Sequence, residues 1–446
     1  MTFERKSRSD YEASLLDKGR RYMPSGPRNP TRSPEQAIIV RRAHGARIED
    51  CSGNEYIDYL LGSGPMLLGH AHPAVVAAVR DALADGSAYL LAGEACIELA
   101  ERMVEAVPCA DKVYFQSTGT EATFFALRLA RAFRKRDKIL KFEGAYHGMH
   151  DYALVSTQWT VALADYPTPV ANSAGIPASV LNEVLVAPFN DIETTARIVE
   201  QNADELAAVI VEPMQRTIPP RAGFLTDLRD LTRRLEIPLI FDEVVTGFRL
   251  AYGGAQEYYG VVPDLCALGK SVSGGHPIGV LCGRADIMDC AGPAKLMRGE
   301  GVLLSGTYSG NPISAVAALA AMRELRRPGV YEELFARGRA LMRGLVDVAG
   351  ECGISAVVSG EPPAFELWFT DGELADFRDV LRADAGRQGR FAQLLMDRGV
   401  IKAHEKFFIS TAHTDDDIDA TIAAARDAMR QLATEGTSAL APPSRG

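Results

Sequence analysis

The sequence lacks the residue patterns of a disulfide-stabilised or metal-stabilised protein. Its seven cysteines are odd in number, scattered along 446 residues, and include no Cys-x-x-Cys pair. His70 and His72 stand two positions apart before a proline, but no third metal ligand follows nearby, so a turn is the favoured interpretation. We therefore expect reduced thiols, no disulfide framework and no metal site.

Long apolar runs and an excess of positive charge are also missing. No stretch approaches the roughly 18 apolar residues of a membrane span, and the polar first ten residues do not resemble a signal peptide. The net charge of −10 offers no basic footprint for nucleic acid. The sequence predicts a soluble cytoplasmic protein, without a nucleic-acid or membrane partner, that can bury a large core in two or three domains.

The most informative stretch runs from Leu239 to Lys270. A short apolar run ends in Asp242-Glu243, and a second short run ends in Lys270. Such runs predict buried parallel strands, and open α/β sheets bind ligands at the carboxyl ends of their strands. An acid and a lysine there fit pyridoxal phosphate, whose aldehyde bonds to a lysine and whose ring nitrogen pairs with an acid. Taken alone, the pair favours a plainer interpretation, in which Asp242 caps a helix and Lys270 is a surface lysine.

Three further strand ends carry suitable side chains. The strand from Val113 leads into a loop of small residues, 117–120, and then into a helix; exposed amides at such a helix start favour a phosphate, although most such loops are plain N-caps. Tyr146 follows a strand and could stack on a flat ring, and Glu212 ends another apolar run. These positions predict a cofactor pocket along one edge of a sheet.

The stretches Phe241–Leu265 and Leu268–Lys270 resemble class III (subgroup II) aminotransferases, and most of all the glutamate-1-semialdehyde 2,1-aminomutase family. The similarity extends from about residue 20 to about residue 430. The resemblance implies an α/β protein of fold type I, the aspartate-aminotransferase type, with a mostly parallel sheet in a large domain and a small α+β domain. It also implies pyridoxal 5'-phosphate as cofactor and a homodimer with shared active sites.

The resemblance implies a role for each matching residue. Lys270 and Asp242 would be catalytic, since the lysine bonds to the cofactor and moves protons while the acid holds the ring nitrogen protonated. The remaining cofactor contacts would come from five loops. Thr118, Gly119 and Thr120 would lie at the phosphate, Tyr146 and Val244 on the two ring faces, and His147 and Glu212 beside the ring. Thr307 would reach across the dimer interface to the phosphate bound by the partner subunit.

The substrate pocket both follows and departs from the mutase pattern. Arg32 matches the arginine that binds the substrate carboxylate, with Arg28 as a second candidate, and Glu405 keeps a glutamate of the mutase site. Ser63 replaces an aromatic residue, and the segment containing Trp159 replaces a small glycine-rich gate. The retained residues favour a mutase, and the replaced ones favour a different substrate.

The predicted organisation has four parts: residues 1–70 as an N-terminal segment of the small domain, 71–310 as the cofactor-binding domain, 311–434 as the C-terminal small domain, and 435–446 as a disordered tail. The predicted function is an aminotransferase that moves an amino group between an amino acid or amine and a carbonyl acceptor. The alternatives are a true glutamate-1-semialdehyde 2,1-aminomutase that makes 5-aminolevulinate and, more remotely, a non-catalytic or metal-dependent α/β protein.

Overall fold

The computed structural model describes residues 3–28, 31, 36–157, 163–403 and 406–435. They form two compact units. The large unit comprises Pro73–Arg327 and Ala375–Phe377, and the small unit comprises the chain up to His72, Pro328–Leu374 and the chain from Arg378 onwards. No helix in these described ranges is long and apolar enough to cross a membrane.

The strands are named in chain order. They are β1 Val40–His44, β2 Arg47–Asp50, β3 Glu55–Tyr59, β4 Lys112–Gln116, β5 Lys138–Phe142, β6 Val184–Ala187, β7 Leu206–Val211, β8 Leu239–Glu243, β9 Leu265–Gly269, β10 Gly279–Gly283, β11 Val357–Glu361, β12 Ala364–Trp368, β13 Val400–Lys402 and β14 Phe407–Phe408.

The α-helices are named in the same way. They are α1 Asp10–Tyr22, α2 Pro73–Ala82, α3 Glu94–Ala106, α4 Gly119–Arg134, α5 Ala178–Leu181, α6 Ile192–Gln201, α7 Phe224–Arg234, α8 Gly254–Tyr259, α9 Ala285–Met288, α10 Pro293–Met297, α11 Pro312–Leu325, α12 Val330–Glu351, α13 Phe377–Val380, α14 Ala385–Met396 and α15 Asp415–Glu435.

The large unit is built on a seven-stranded sheet, counted over the described residues, in the order β4-β10-β9-β8-β7-β5-β6. β10 is antiparallel to both of its neighbours, and the pairs β9–β8, β8–β7, β7–β5 and β5–β6 are parallel. Every residue of β7, β8 and β9 is buried, which explains the continuous apolar sequences of β7 and β9 and the apolar start of β8. The predicted fold type, with its mostly parallel sheet, is confirmed.

Helix α4 packs its apolar face on this sheet. Phe125 and Leu129 are buried in one core cluster with residues of β5, β7, β8 and β9, and Phe133 packs against the edge of the cluster. These three positions recur at helical spacing, so the sequence alone indicated the buried face. Only residues 117 and 118 separate α4 from Gln116, the last residue of β4, so the helix begins close to the end of this strand.

The small unit contains two sheets within its described residues, with strand orders β1-β2-β3-β13 and β11-β12-β14. β13 pairs in parallel with β3, which joins the C-terminal part of the chain to its N-terminal part. Lys402 on β13 and Glu366 on β12 form a buried ion pair with a 2.6 Å N–O distance. Helices α12, α14 and α15 belong to the same unit, where α12 and α15 pack together.

The units divide at Pro328 rather than at the predicted residue 311. Helix α11 belongs to the large unit because it packs against α2 and α3 through a buried face rich in alanine, including Ala317, Ala318 and Ala321. Such small side chains let helices approach closely. Of the predicted disordered tail, Glu435 is the last residue of α15 and its carboxylate binds Arg390; residues 436–446 lie outside the described ranges.

Candidate active site

Two neighbouring strands bring an acid and a lysine to one edge of the sheet. Asp242 is the last residue but one of β8, and Lys270 directly follows β9. These strands are parallel, with Asp242 in register with Ala267, so both side chains belong to the carboxyl edge. The backbone of Lys270 is left-handed, with φ 45°. Non-glycine residues in this conformation are uncommon and cluster at functional sites.

The carboxylate of Asp242 is buried and held by two hydrogen bonds. Nδ1 of His147 lies 2.7 Å from its Oδ2, and the backbone N–H of Val244 donates to its Oδ1 at 3.1 Å. Asp242 and His147 expose 5% and 2% of their surface. A buried carboxylate requires such partners, so His147 fixes the direction of the acid. The opposite nitrogen of the ring, His147 Nε2, is buried with no hydrogen-bond partner in the described part of the chain.

Glu212 ties two loops of the site together. It follows β7, and its Oε1 accepts the backbone N–H of Tyr146 at 2.7 Å. Its Oε2 accepts the backbone N–H of Arg216 at 3.0 Å. Because Glu212 is buried, these contacts set the position of the Tyr146 backbone relative to the end of β7.

The predicted phosphate loop forms the start of α4. Thr118 is the N-cap: its Oγ1 accepts the N–H of Glu121 at 3.2 Å and donates to the Glu121 carboxylate at 2.9 Å. A Cβ on Gly119 would lie 2.8 Å from Cγ2 of Val244, so only glycine fits against this valine. Oγ1 of Thr120 accepts the N–H of Met149 at 3.3 Å. The loop after β4 is thereby joined to Val244 and to the segment that carries His147.

Lys141 anchors the segment that carries Tyr146 and His147. Its fully buried Nζ donates to the carbonyls of Ala145 and Ala153, both at 3.1 Å, and to that of Val155. An ammonium has three N–H groups, so these carbonyls use all of them. Burial lowers the pKa of Lys141 to about 7, against the opposing charge of Glu212. The sequence analysis missed this residue, although a lysine inside an apolar strand was the available signal.

Burial and a nearby guanidinium tune the amine of Lys270. Burial, followed by the charge of Arg216, lowers its pKa to about 8, and the charges of Asp242 and Glu212 oppose this shift. An ordinary lysine has a pKa near 10.4. A much larger fraction of Lys270 is therefore a neutral nucleophile at physiological pH.

Arg216 is the second residue that the sequence analysis missed. Its guanidinium carbon lies 5.9 Å from the centroid of the Tyr146 ring, and its backbone is left-handed, with φ 59°. It stands four residues after Glu212 in a stretch with no recognisable motif, so only the folded chain reveals that its charge reaches Lys270.

Three other predicted site residues lie within the described ranges. Thr307 is exposed on a turn of the large unit. Ser63, with φ 70°, ends a short 3-10 helix of the small unit, and Arg28 is an exposed residue of the same unit. Arg32, Trp159 and Glu405 lie outside the described residues. The large unit thus brings together the residues assigned to the ring and to the phosphate of the same subunit. The role of Thr307 and the substrate contacts stay predictions.

Comparison with known proteins agrees with this geometry. The class III aminotransferase family model matches residues 29–360. The chain is 42% identical, over 94% of its length and 97% of the relative's, to a glutamate-1-semialdehyde 2,1-aminomutase of Desulforudis audaxviator (strain MP104C). Among solved structures, an omega-transaminase from Sphaerobacter thermophilus has a TM-score of 0.89 at 36% identity, covering 95% of this chain and 98% of its own. A β-phenylalanine aminotransferase from Variovorax paradoxus has a TM-score of 0.83 at 28% identity, covering 94% and 93%.

The fold, the placement of Asp242 and Lys270 at one edge of the sheet, and these similarities define an enzyme that uses pyridoxal phosphate. The chain belongs to the class III aminotransferase family. The predictions of family, enzyme class and cofactor are confirmed. The residues present also suit the cofactor, since a buried acid is fixed in one direction, α4 starts at a glycine as a phosphate-binding helix start can, and Lys270 has a lowered pKa.

The electrostatic role of Arg216 leads to a pH prediction. Replacing Arg216 by methionine removes a positive charge that lowers the pKa of Lys270, so this pKa should rise, by about one pH unit. The rate at which apoenzyme recombines with pyridoxal phosphate reports the neutral amine, and its midpoint should move to higher pH. Arg197→Met, which replaces an exposed arginine on α6, serves as the control. An unchanged or lower midpoint in Arg216→Met would contradict the assignment.

Proposed function

We propose that the protein is an aminotransferase that moves an amino group between an amino acid or amine and a carbonyl acceptor through Lys270. The observation that carries this proposal is the pairing of Lys270 with a buried, histidine-bound Asp242 on adjacent parallel strands. Amino transfer needs both, because one group bonds the cofactor and moves protons while the other keeps the ring electron-poor.

Each side chain then has a separate task. The neutral Nζ of Lys270 would bond to the cofactor and would carry a proton to and from the substrate carbon as general base and acid. Asp242, held by His147, would pair with the ring nitrogen and keep it protonated. When bound, the cofactor supplies a protonated ring that withdraws electrons from the bond that is broken.

The remaining contacts hold the cofactor in place. Tyr146 and Val244 would pack on its two ring faces, and Glu212 would lie near its ring hydroxyl. The backbone amides at Gly119 and Thr120 would bind its phosphate, supported by Thr118. The support is that Gly119 touches Val244 and that Glu212 holds the Tyr146 backbone, so ring and phosphate contacts form one connected set.

The second candidate function is that of a glutamate-1-semialdehyde 2,1-aminomutase. The 42% identity to a protein of that name and the glutamate at position 405 favour it. The 36% identity to an omega-transaminase, Ser63 in place of an aromatic residue, and Trp159 within the altered gate favour the aminotransferase. In either case Arg32, with Arg28 second, would orient a substrate carboxylate.

A half-reaction screen on the holoenzyme separates the two functions. We expect the cofactor's visible absorbance to change on addition of β-amino acids or simple amines, and to return only when a keto acid is added. Conversion of glutamate-1-semialdehyde to 5-aminolevulinate without any added acceptor would instead establish the mutase.

Lys270→Ala should lower turnover by about 10²–10⁴-fold. Lys112→Ala, at the half-exposed start of β4, should leave turnover unchanged. Full activity of Lys270→Ala would contradict both functions.

We further propose a homodimer with shared active sites. The large unit exposes apolar side chains on two segments, with Leu90, Leu91 and Ile97 on one and Leu303 and Tyr308 on the other. The segments adjoin, because a Cβ on Gly310 would lie 2.6 Å from Sγ of Cys96. An apolar surface of this kind is typical of an interface. Thr307 stands within the second segment and is exposed, as a residue that reaches the partner's phosphate must be.

Subunit complementation tests this arrangement. Thr307→Glu places a negative charge at the partner's phosphate and should inactivate the enzyme. Lys270→Ala should inactivate it as well. In mixed dimers, the Lys270 of one subunit meets the intact Thr307 of the other, so co-expression should restore about a quarter of the parent activity if subunits pair randomly in a two-fold dimer. If the co-expressed variants stay inactive, Thr307 does not serve the partner's site.

A cytoplasmic location completes the proposal. All seven cysteines are free thiols, including Cys266 and Cys282, which face each other across β9 and β10. Such a neighbouring pair left unbonded is typical of a reducing compartment.

A further inference from the structure

A cavity of about 680 Å³ lies at the edge of the large sheet opposite to Lys270. Its lining includes Pro238, directly before β8, and Asp264, directly before β9. These are the amino ends of the two strands whose carboxyl ends carry Asp242 and Lys270. The cavity is therefore separate from the candidate active site, with the length of the sheet between them.

Five arginines line this cavity in a chain whose net charge is −10. Two of them form ion pairs. Arg229 binds the carboxylate of Asp264 in a bidentate contact, and Arg284 binds both Asp264 and Asp286. Nε of Arg229 is buried and has no hydrogen-bond partner among the described residues.

The other three arginines have no carboxylate partner in the described part of the chain. The guanidinium of Arg134 donates to the carbonyls of Leu235 and Ala203, both at 3.0 Å, and to that of Glu236. Arg136 likewise donates only to carbonyls, and Arg233 is exposed on α7. Their three positive charges are thus not neutralised by ion pairs.

The balance of charge in the cavity is positive. Besides Asp264, the carboxylates that line it are Asp204 and Glu236. Burial and the charge of Arg136 lower the pKa of Arg134, and the charges of Glu236 and Asp204 only partly oppose this. The two guanidiniums therefore repel each other, and an anion between them would relieve the repulsion.

We propose that this cavity is a binding site for a small, multiply charged anion that bears phosphate or carboxylate groups. Guanidinium groups bind both kinds of group through paired hydrogen bonds. Phe133, Leu235 and Ile237 add an apolar surface to the lining, against which a carbon skeleton can pack. The site is independent of the amino-transfer reaction.

Isothermal titration calorimetry of the holoenzyme tests the proposal, because the bound cofactor already fills the phosphate-binding helix start. Sodium pyrophosphate and citrate serve as separate probes at low ionic strength, where charge contacts are least screened. We expect saturable binding of at least one probe, and the tighter one identifies phosphate or carboxylate as the preferred group. The double variant Arg136→Ala/Arg233→Ala should bind it at least about tenfold more weakly.

Both substituted side chains are exposed, so the variant should fold, and its thermal unfolding checks this. Arg197→Ala removes an exposed arginine outside the lining and should leave the affinity within about twofold. Two results would overturn the proposal: neither probe binds the holoenzyme, or the double variant binds as tightly as the parent.

Discussion

The hydrogen bond between Asp242 and His147 is the contact on which the rest of the site depends. A carboxylate buried at the end of β8 is tolerated only with partners, and the imidazole supplies one at 2.7 Å. His147 can hold this position only if its own segment is fixed. Lys141 fixes that segment from within the sheet through three carbonyls, and Glu212 fixes it from the end of β7 through the Tyr146 amide. Three strands thus cooperate to aim one acid.

Much of the fold and part of the site could be predicted from the sequence. The continuous apolar runs before Asp242 and Lys270 indicated neighbouring buried strands, because parallel strands covered on both faces need no alternation. The small loop before α4 indicated a helix start, and Thr118 does cap α4. Such predictions succeed because they depend on residues close together in the chain.

The parts that could not be predicted depend on distant contacts or on backbone direction. Lys141 acquires its role only when the carbonyls of residues up to 155 fold back on it. Arg216 approaches Tyr146 from a left-handed backbone that its sequence does not require. The predicted boundary at residue 311 lies before α11, whereas this helix belongs to the large unit. An alanine-rich helix shows no strong apolar stripe, so its sequence does not indicate which unit it joins. Its packing against α2 and α3 decides this.

The account rests on Lys270 as the lysine that bonds to pyridoxal phosphate, and one measurement tests this directly. Borohydride reduction of the holoenzyme makes the link between cofactor and lysine permanent, and peptide mass spectrometry then locates it. The account predicts the phosphopyridoxyl group on the peptide that contains Lys270. Lys141 is the lysine to compare, because its pKa is also lowered, to about 7. Its amine is bound to three carbonyls, so the account predicts that it does not react. Finding the group on Lys141 or on any other lysine would contradict the account.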